Sequence, residues 1–230
     1  MSIADKLTTI AENEQKVYEK GVYDRDLKIW EMITNNGTRK EWERAFAYSN
    51  FTDYEFVKPV FVNNEATRAF YSYAGNNLPK NIDLSGVTGA DRTFAWSKKV
   101  EEIYDMNMPA LTNYNLTYSP CNELKRIEIV RTTENTVFTN TFSGLPKLED
   151  ITFDGTIGTN ISFADCPLNI KSIKNILLHL KDYSGTTNAG TYILTLKDTC
   201  KTAMANLGTI TELNNKTYTE YLASIGWNLA

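Results

Sequence analysis

The chain has 230 residues, with 24 Lys and Arg against 28 Asp and Glu, and carries a net charge of −4 at pH 7. That balance supplies no concentrated basic surface for the phosphates of a nucleic acid, and no apolar run of about 18 residues is present to cross a membrane. One histidine (His179) and three cysteines (Cys121, Cys166, Cys200) leave no basis for a histidine-rich metal site or paired-histidine catalysis. The composition therefore points to a non-enzymatic protein without a cofactor. Asparagine (23) and threonine (28) are abundant. They compete with the backbone inside helices and suit turns and strand edges, so a turn-rich, mostly β body is expected.

In chain order, residues 2–34 read as a helix. It opens with a capping-box pattern, Ser2-Ile3-Ala4-Asp5. Ile3, Leu7, Ile10, Glu14 and Val17 then alternate in spacings of four and three, the seam of a coiled coil. The same face serves either packing on its own domain or self-association through residues 3–33. No apolar stretch follows the first charges, so a conventional secretion signal is not expected. A short helix is expected over residues 40–48. The aromatic and β-branched stretch 51–62 contains Pro59, which confines any strand there to a sheet edge.

Beyond residue 66 an internal repeat dominates. Phe94, Tyr118 and Phe142 stand 24 residues apart, with Ser97, Cys121 and Leu145 three positions on, then Val100, Leu124 and Leu148, then Ile103, Ile127 and Ile151. Asp105, Ile129 and Phe153 complete the period, Phe163 opens a further copy after a step of 21, and Phe70 begins a looser one. In Leu124-Lys125-Arg126-Ile127-Glu128-Ile129 the two isoleucines alternate inward, as in a strand. Stacked copies would pair their strands in parallel and bury a continuous core. A helix over 173–180, a strand over 192–196, helices over 199–207 and 218–224 and a terminal strand over 226–229 follow. The division expected is an N-terminal helical module and edge segment (1–65), a repeat array (66–170) and a C-terminal mixed α/β cap (171–230).

This period, best seen in Phe142-Ser143-Gly144-Leu145-Pro146-Lys147-Leu148-Glu149-Asp150-Ile151-Thr152-Phe153, resembles the BspA-type leucine-rich repeat. The resemblance implies an α/β solenoid, a short leucine-rich-repeat array between a helical module and a cap. Leu145 at a place usually held by a small residue or cysteine, and Asp105 at an inward place, depart from the pattern. The segment Ile3–Tyr18, with Trp30, Asn36-Gly37 and Ala45-Phe46-Ala47, is similar to the N-terminal modules of leucine-rich-repeat proteins encoded in phages and prophages of gut Firmicutes. That similarity implies binding rather than catalysis.

Candidate binding residues lie on the exposed strand positions. Tyr104, Glu128 and Thr152 share one register, and Glu102, Arg126 and Asp150 the next. The second row alternates in charge, which adjacent strands use to avoid like-charge contacts, so it serves structural register as readily as recognition. Tyr104 is favoured for binding because aromatic residues concentrate at interface hot spots. Trp96, with Tyr71 and Tyr73, offers either a platform for a sugar ring or an internal packing surface. Cys121 and Cys166 are read as buried thiols, Cys200 as structural despite its place near a helix start, and His179 as a satisfied side chain.

These features lead to the expectation of a binding or assembly protein, associated with a phage or prophage tail, in the virion or extracellular after synthesis in the cytoplasm. Its partners would be a protein or glycan on a bacterial cell surface and phage tail or baseplate proteins, with neither nucleic acid nor membrane. The alternatives are a bacterial surface adhesin and a phage-encoded intracellular inhibitor acting by protein binding.

Overall fold

Aromatic side chains 24 residues apart can stack only if the turns carrying them are about one strand spacing apart. In the computed structural model, which describes residues 64–78 and 84–230, they do. Phe70 stacks on Phe94 at 5.3 Å between ring centroids, Phe94 on Tyr118 at 5.8 Å, Tyr118 on Phe142 at 5.8 Å and Phe142 on Phe163 at 4.7 Å. The helices and the edge strand expected before residue 64, and self-association through residues 3–33, lie outside the described residues.

The strands are β1 (Asn64–Glu65), β2 (Val87–Gly89), β3 (Glu102–Ile103), β4 (Arg126–Thr132), β5 (Asp150–Gly155), β6 (Ile161–Phe163), β7 (Tyr192–Leu196) and β8 (Trp227–Leu229). The helices are α1 (Ile170–His179), α2 (Asp198–Ala205) and α3 (Tyr218–Ser224), with a 3₁₀ turn at Thr211–Leu213. All named strand pairs are parallel, in sheets ordered β1-β2, β3-β4-β5 and β6-β7-β8. Within the middle sheet the 24-residue interval is the pairing register: Glu102 faces Arg126, Arg126 faces Asp150, and Ile103, Ile127 and Ile151 align inward.

The architecture is a small mixed α/β domain and not the BspA-type leucine-rich-repeat solenoid that the resemblance implies. A solenoid needs one constant step repeated along one continuous sheet. Here the middle sheet ends after β5, because α1 occupies the next place. Ser172 Oγ accepts the Ile151 amide at 2.9 Å and Asn175 Oδ1 accepts the Phe153 amide at 2.7 Å, so helix side chains close the strand edge. β6 then pairs with β7 across a much longer interval (Ile161 with Leu194), and β7 with β8 across another (Tyr192 with Trp227).

A second correction concerns β4. Ile127 faces Ile151, but Val130 faces Phe153, so β4 holds one extra residue in a bulge. Val130 is fully buried and Ile129, expected inward, is half-buried.

Successive turns are also tied by buried polar side chains. Thr93 Oγ1 donates to the Ala66 carbonyl (2.8 Å), Thr117 Oγ1 to Ala90 (2.7 Å) and Thr141 Oγ1 to Tyr114 (2.8 Å). Ser97 Oγ reaches Phe70 O at 2.7 Å and Cys121 Sγ reaches Phe94 O at 3.1 Å. The small position of the repeat is thus a hydrogen-bonding position as well as a packing one. All three cysteines are free and buried. Burial pushes the Cys121 thiol up to about 12, and raises Cys166 and Cys200 as well, so the helix start does not activate Cys200.

Asp105, expected inward, is instead half-buried with Met106 as the buried residue beside it, and the Arg131 guanidinium donates to both its carboxylate oxygens at 2.8 and 2.6 Å. These charge-assisted bonds hold the Asp105 carboxyl below the usual carboxylate range. Because the folded-state value is depressed, the stabilisation is present above the ordinary carboxylate pKa and is lost as the pH falls through the folded one. Asp105→Asn is expected to lower stability by about 1 kcal/mol at pH 7. Thermal melts should show that difference shrinking as the pH is taken down below the ordinary carboxylate value, and a gap that does not change with pH would contradict the assignment.

Candidate functional site

The 24-residue ladder has one irregular step, from Phe142 to Phe163, and an open cleft lies at that step. In the earlier turns the residue two before the aromatic has a positive φ and donates its amide to the next turn. Arg68 donates to Asp91 O at 2.9 Å, Arg92 to Asn115 O at 3.0 Å and Leu116 to Thr139 O at 2.9 Å. Asn140 has the same backbone conformation, φ 50°. Among the described residues, however, no backbone hydrogen bond joins Asn140 or Phe142 to the turn carrying β6. The rings of Phe142 and Phe163 remain stacked in the core, so the two turns stay together inside and part on the surface.

The cleft encloses about 630 Å³ and is lined by residues 137–143 on one side, by Thr159–Ser162, Ala164 and Asp165 on the other, and by Tyr192, Ile193 and Thr195 of β7. Several contacts fix its walls. Asp165 Oδ2 accepts the Gly144 amide at 2.8 Å, taking the place of a backbone carbonyl from the next turn. Asn160 Oδ1 accepts the Ile193 amide at 2.8 Å, and Thr159 Oγ1 donates to the Thr136 carbonyl. Tyr192 is held by rings: it packs on Tyr183 at 4.8 Å and on Trp227 at 5.9 Å. Tyr183 is itself anchored by donation from its hydroxyl to Gly158 O at 2.7 Å.

Chemically, the lining is made of hydroxyls, carboxamides and apolar surface. It contains one carboxylate, Asp165, and no histidine, cysteine, lysine or arginine. Val137 and Ile193 are exposed large apolar side chains on its walls. Among the described residues no group of three or more His, Cys, Asp or Glu is placed to hold a metal ion, and no helix is long and apolar enough to cross a membrane.

The residues singled out from the sequence fall elsewhere. Glu102, Arg126 and Asp150 stand directly side by side across β3, β4 and β5. Arg126 lies 3.9 Å from Glu102, 3.5 Å from Asp150 and 3.6 Å from Glu128, so the row is a charge-compensated ladder. Glu128 also accepts the Asp105 amide at 3.0 Å. Tyr104 is half-buried and packs against the core, and Thr152, on β5 beyond the intervening β4, is also half-buried. Trp96 is in a turn rather than on that sheet, 45% exposed, with φ 65° and the Lys98 ammonium 5.2 Å from its ring. Tyr73, proposed as its platform partner, is buried. His179 is half-buried, with Nδ1 2.8 Å from the Asn175 carbonyl.

None of the cleft residues was selected from sequence. The signal that marks them is the shortened step to Phe163, which displaces the turn that would otherwise complete the ladder. Comparison with family models, with curated proteins and with solved structures gives no match to this chain. Nothing among the described residues supports the phage-tail and virion expectations.

Proposed function

We propose that this chain is a non-enzymatic binding domain whose ligand sits in the cleft between residues 137–143 and β6. The observation that carries this reading is the interrupted ladder. A regular stack would have covered the Asn140 amide, whereas here it borders an open concavity lined by short polar side chains and by Val137 and Ile193. Ligand sites are concave, mixed in polarity and largely preformed, and this one sets the turn 137–143 against strands β6 and β7. The charged row on β3–β5 is the second surface of interest. Its side chains already satisfy one another, and exposed pairs of that kind contribute little.

Labelled protein applied to glycan and peptide arrays tests the reading, with Ser162→Trp as the control that fills the cleft. Signal on at least one array that the Ser162→Trp protein lacks is the expected result. Equal signal from both proteins, or none on either array, would contradict it.

A further inference from the structure

The chemistry of the cleft lining selects among ligand classes, and we infer that it binds a neutral carbohydrate; the inference rests on the reading of the cleft as the ligand site. With no lysine, arginine or histidine in the lining, a phosphate or carboxylate ligand would be desolvated without a counter-charge. A cationic ligand fares no better. The one carboxylate, Asp165, is turned onto the Gly144 amide at 2.8 Å, with Ser143 Oγ at 3.5 Å.

What remains is a set of groups that both donate and accept. Thr139, Ser143, Ser162 and Thr195 bring hydroxyls and Asn140 a carboxamide. Sugar hydroxyls have the same dual character, so each can be met by such a group without leaving a charge unpaired. A pyranose ring also has apolar C–H faces. The exposed side chains of Val137 and Ile193 supply matching apolar surface. The volume of about 630 Å³ lies within the range of small-ligand clefts.

An extended peptide fits less well. Strand addition needs room for a further chain beside an open edge. Asp165 Oδ2 already accepts the Gly144 amide at 2.8 Å and the Cys166 thiol reaches the Phe142 carbonyl at 3.3 Å, so this edge offers no unbroken run of free backbone groups to a further strand.

Titration of the ¹⁵N-labelled full chain, followed amide by amide, tests the class. The probes are neutral tetrasaccharides (cello-, malto-, chito- and manno-series) and a neutral extended peptide, acetyl-Thr-Val-Thr-Val-amide. At least one tetrasaccharide is expected to move the amides of Asn140, Ser162 and Ile193. Its affinity should fall tenfold or more in Ser162→Trp and in Asn140→Gly. The glycine retains the positive φ while removing the carboxamide, so it carries the test if the tryptophan disturbs folding. If the peptide moves these amides and no sugar does, the carbohydrate assignment is overturned while the binding reading stands. Shifts confined to residues outside the cleft overturn the assignment, and silence from every probe overturns it together with the binding reading.

Discussion

Phe142→Ala is expected to remove about 3–5 kcal/mol of stability, a large share of what a domain of this kind possesses. The side chain is 1% exposed, and its ring meets four others, Tyr118 at 5.8 Å, Phe138 at 6.0 Å, Phe153 at 6.1 Å and Phe163 at 4.7 Å. Truncation leaves a cavity where the column of Phe70, Phe94 and Tyr118 passes to the turn bearing β6, and neighbours fixed by backbone ladders cannot collapse into it. Because Phe142 also lines the cleft, the loss should be accompanied by loss of ligand affinity. Urea denaturation of wild type, Phe142→Leu and Phe142→Ala would give a graded series, with leucine near the lower third of the alanine effect. A loss below about 1 kcal/mol for alanine would show that the rings are not a close-packed column.

Ile127→Asp should be more damaging still. Ile127 is 1% exposed at the centre of the middle sheet, between Ile103 and Ile151. A carboxylate there has no partner, so the chain must either bury an unpaired charge or protonate the group at a cost, in addition to losing the isoleucine contacts. The expected result is a protein that does not fold at 25 °C. Ile129→Asp is the discriminating companion. With strict alternation the two substitutions would be equally severe. With the bulge in β4, Ile129 is only half-buried, and its replacement should cost about 1 kcal/mol. Circular dichroism melts of the pair therefore test the bulge as well as the burial, and equal damage from both would contradict it.

Much of the local structure was legible because it depends on period and on terminal chemistry. The 24-residue spacing of Phe94, Tyr118 and Phe142 predicts the stacked turns and the parallel register of β3, β4 and β5. The apolar alternation at Tyr192–Leu196 and the helix at Tyr218–Ser224 appear with the expected bounds. One signal was present and passed over: Thr217-Tyr218-Thr219-Glu220 is a capping box, made by Thr217 and Glu220 in the structure. The expected start of α1 at 173 overlooked Asn169, whose side chain accepts the Ser172 amide at 2.8 Å and begins the helix three residues earlier.

The global architecture was not legible in the same way. A period states that turns stack, but not how many share a sheet or what closes it. Closure is decided by Ser172 and Asn175, which present acceptors to β5 from a helix, and those residues carry no mark in the sequence beyond being polar positions on an amphipathic segment. The long-range pairing of β6 with β7 and β8 is set by tertiary packing around Tyr183, Tyr192 and Trp227 rather than by any repeat. The candidate site was missed for a related reason. Exposed residues on regular strands drew attention, whereas the opening occurs where regularity fails, at the short step before Phe163.

Native-state hydrogen exchange resolved at single amides is the most direct test of that opening, on which the cleft and its proposed role depend. The amides of Arg92 and Leu116 are bonded to the next turn at 3.0 and 2.9 Å, and that of Asn140 has no such bond. The prediction is strong protection at Arg92 and Leu116 and exchange at Asn140 faster by at least about a hundredfold. Equal protection at all three would mean that the ladder runs unbroken into β6, and would contradict the existence of an open binding cleft.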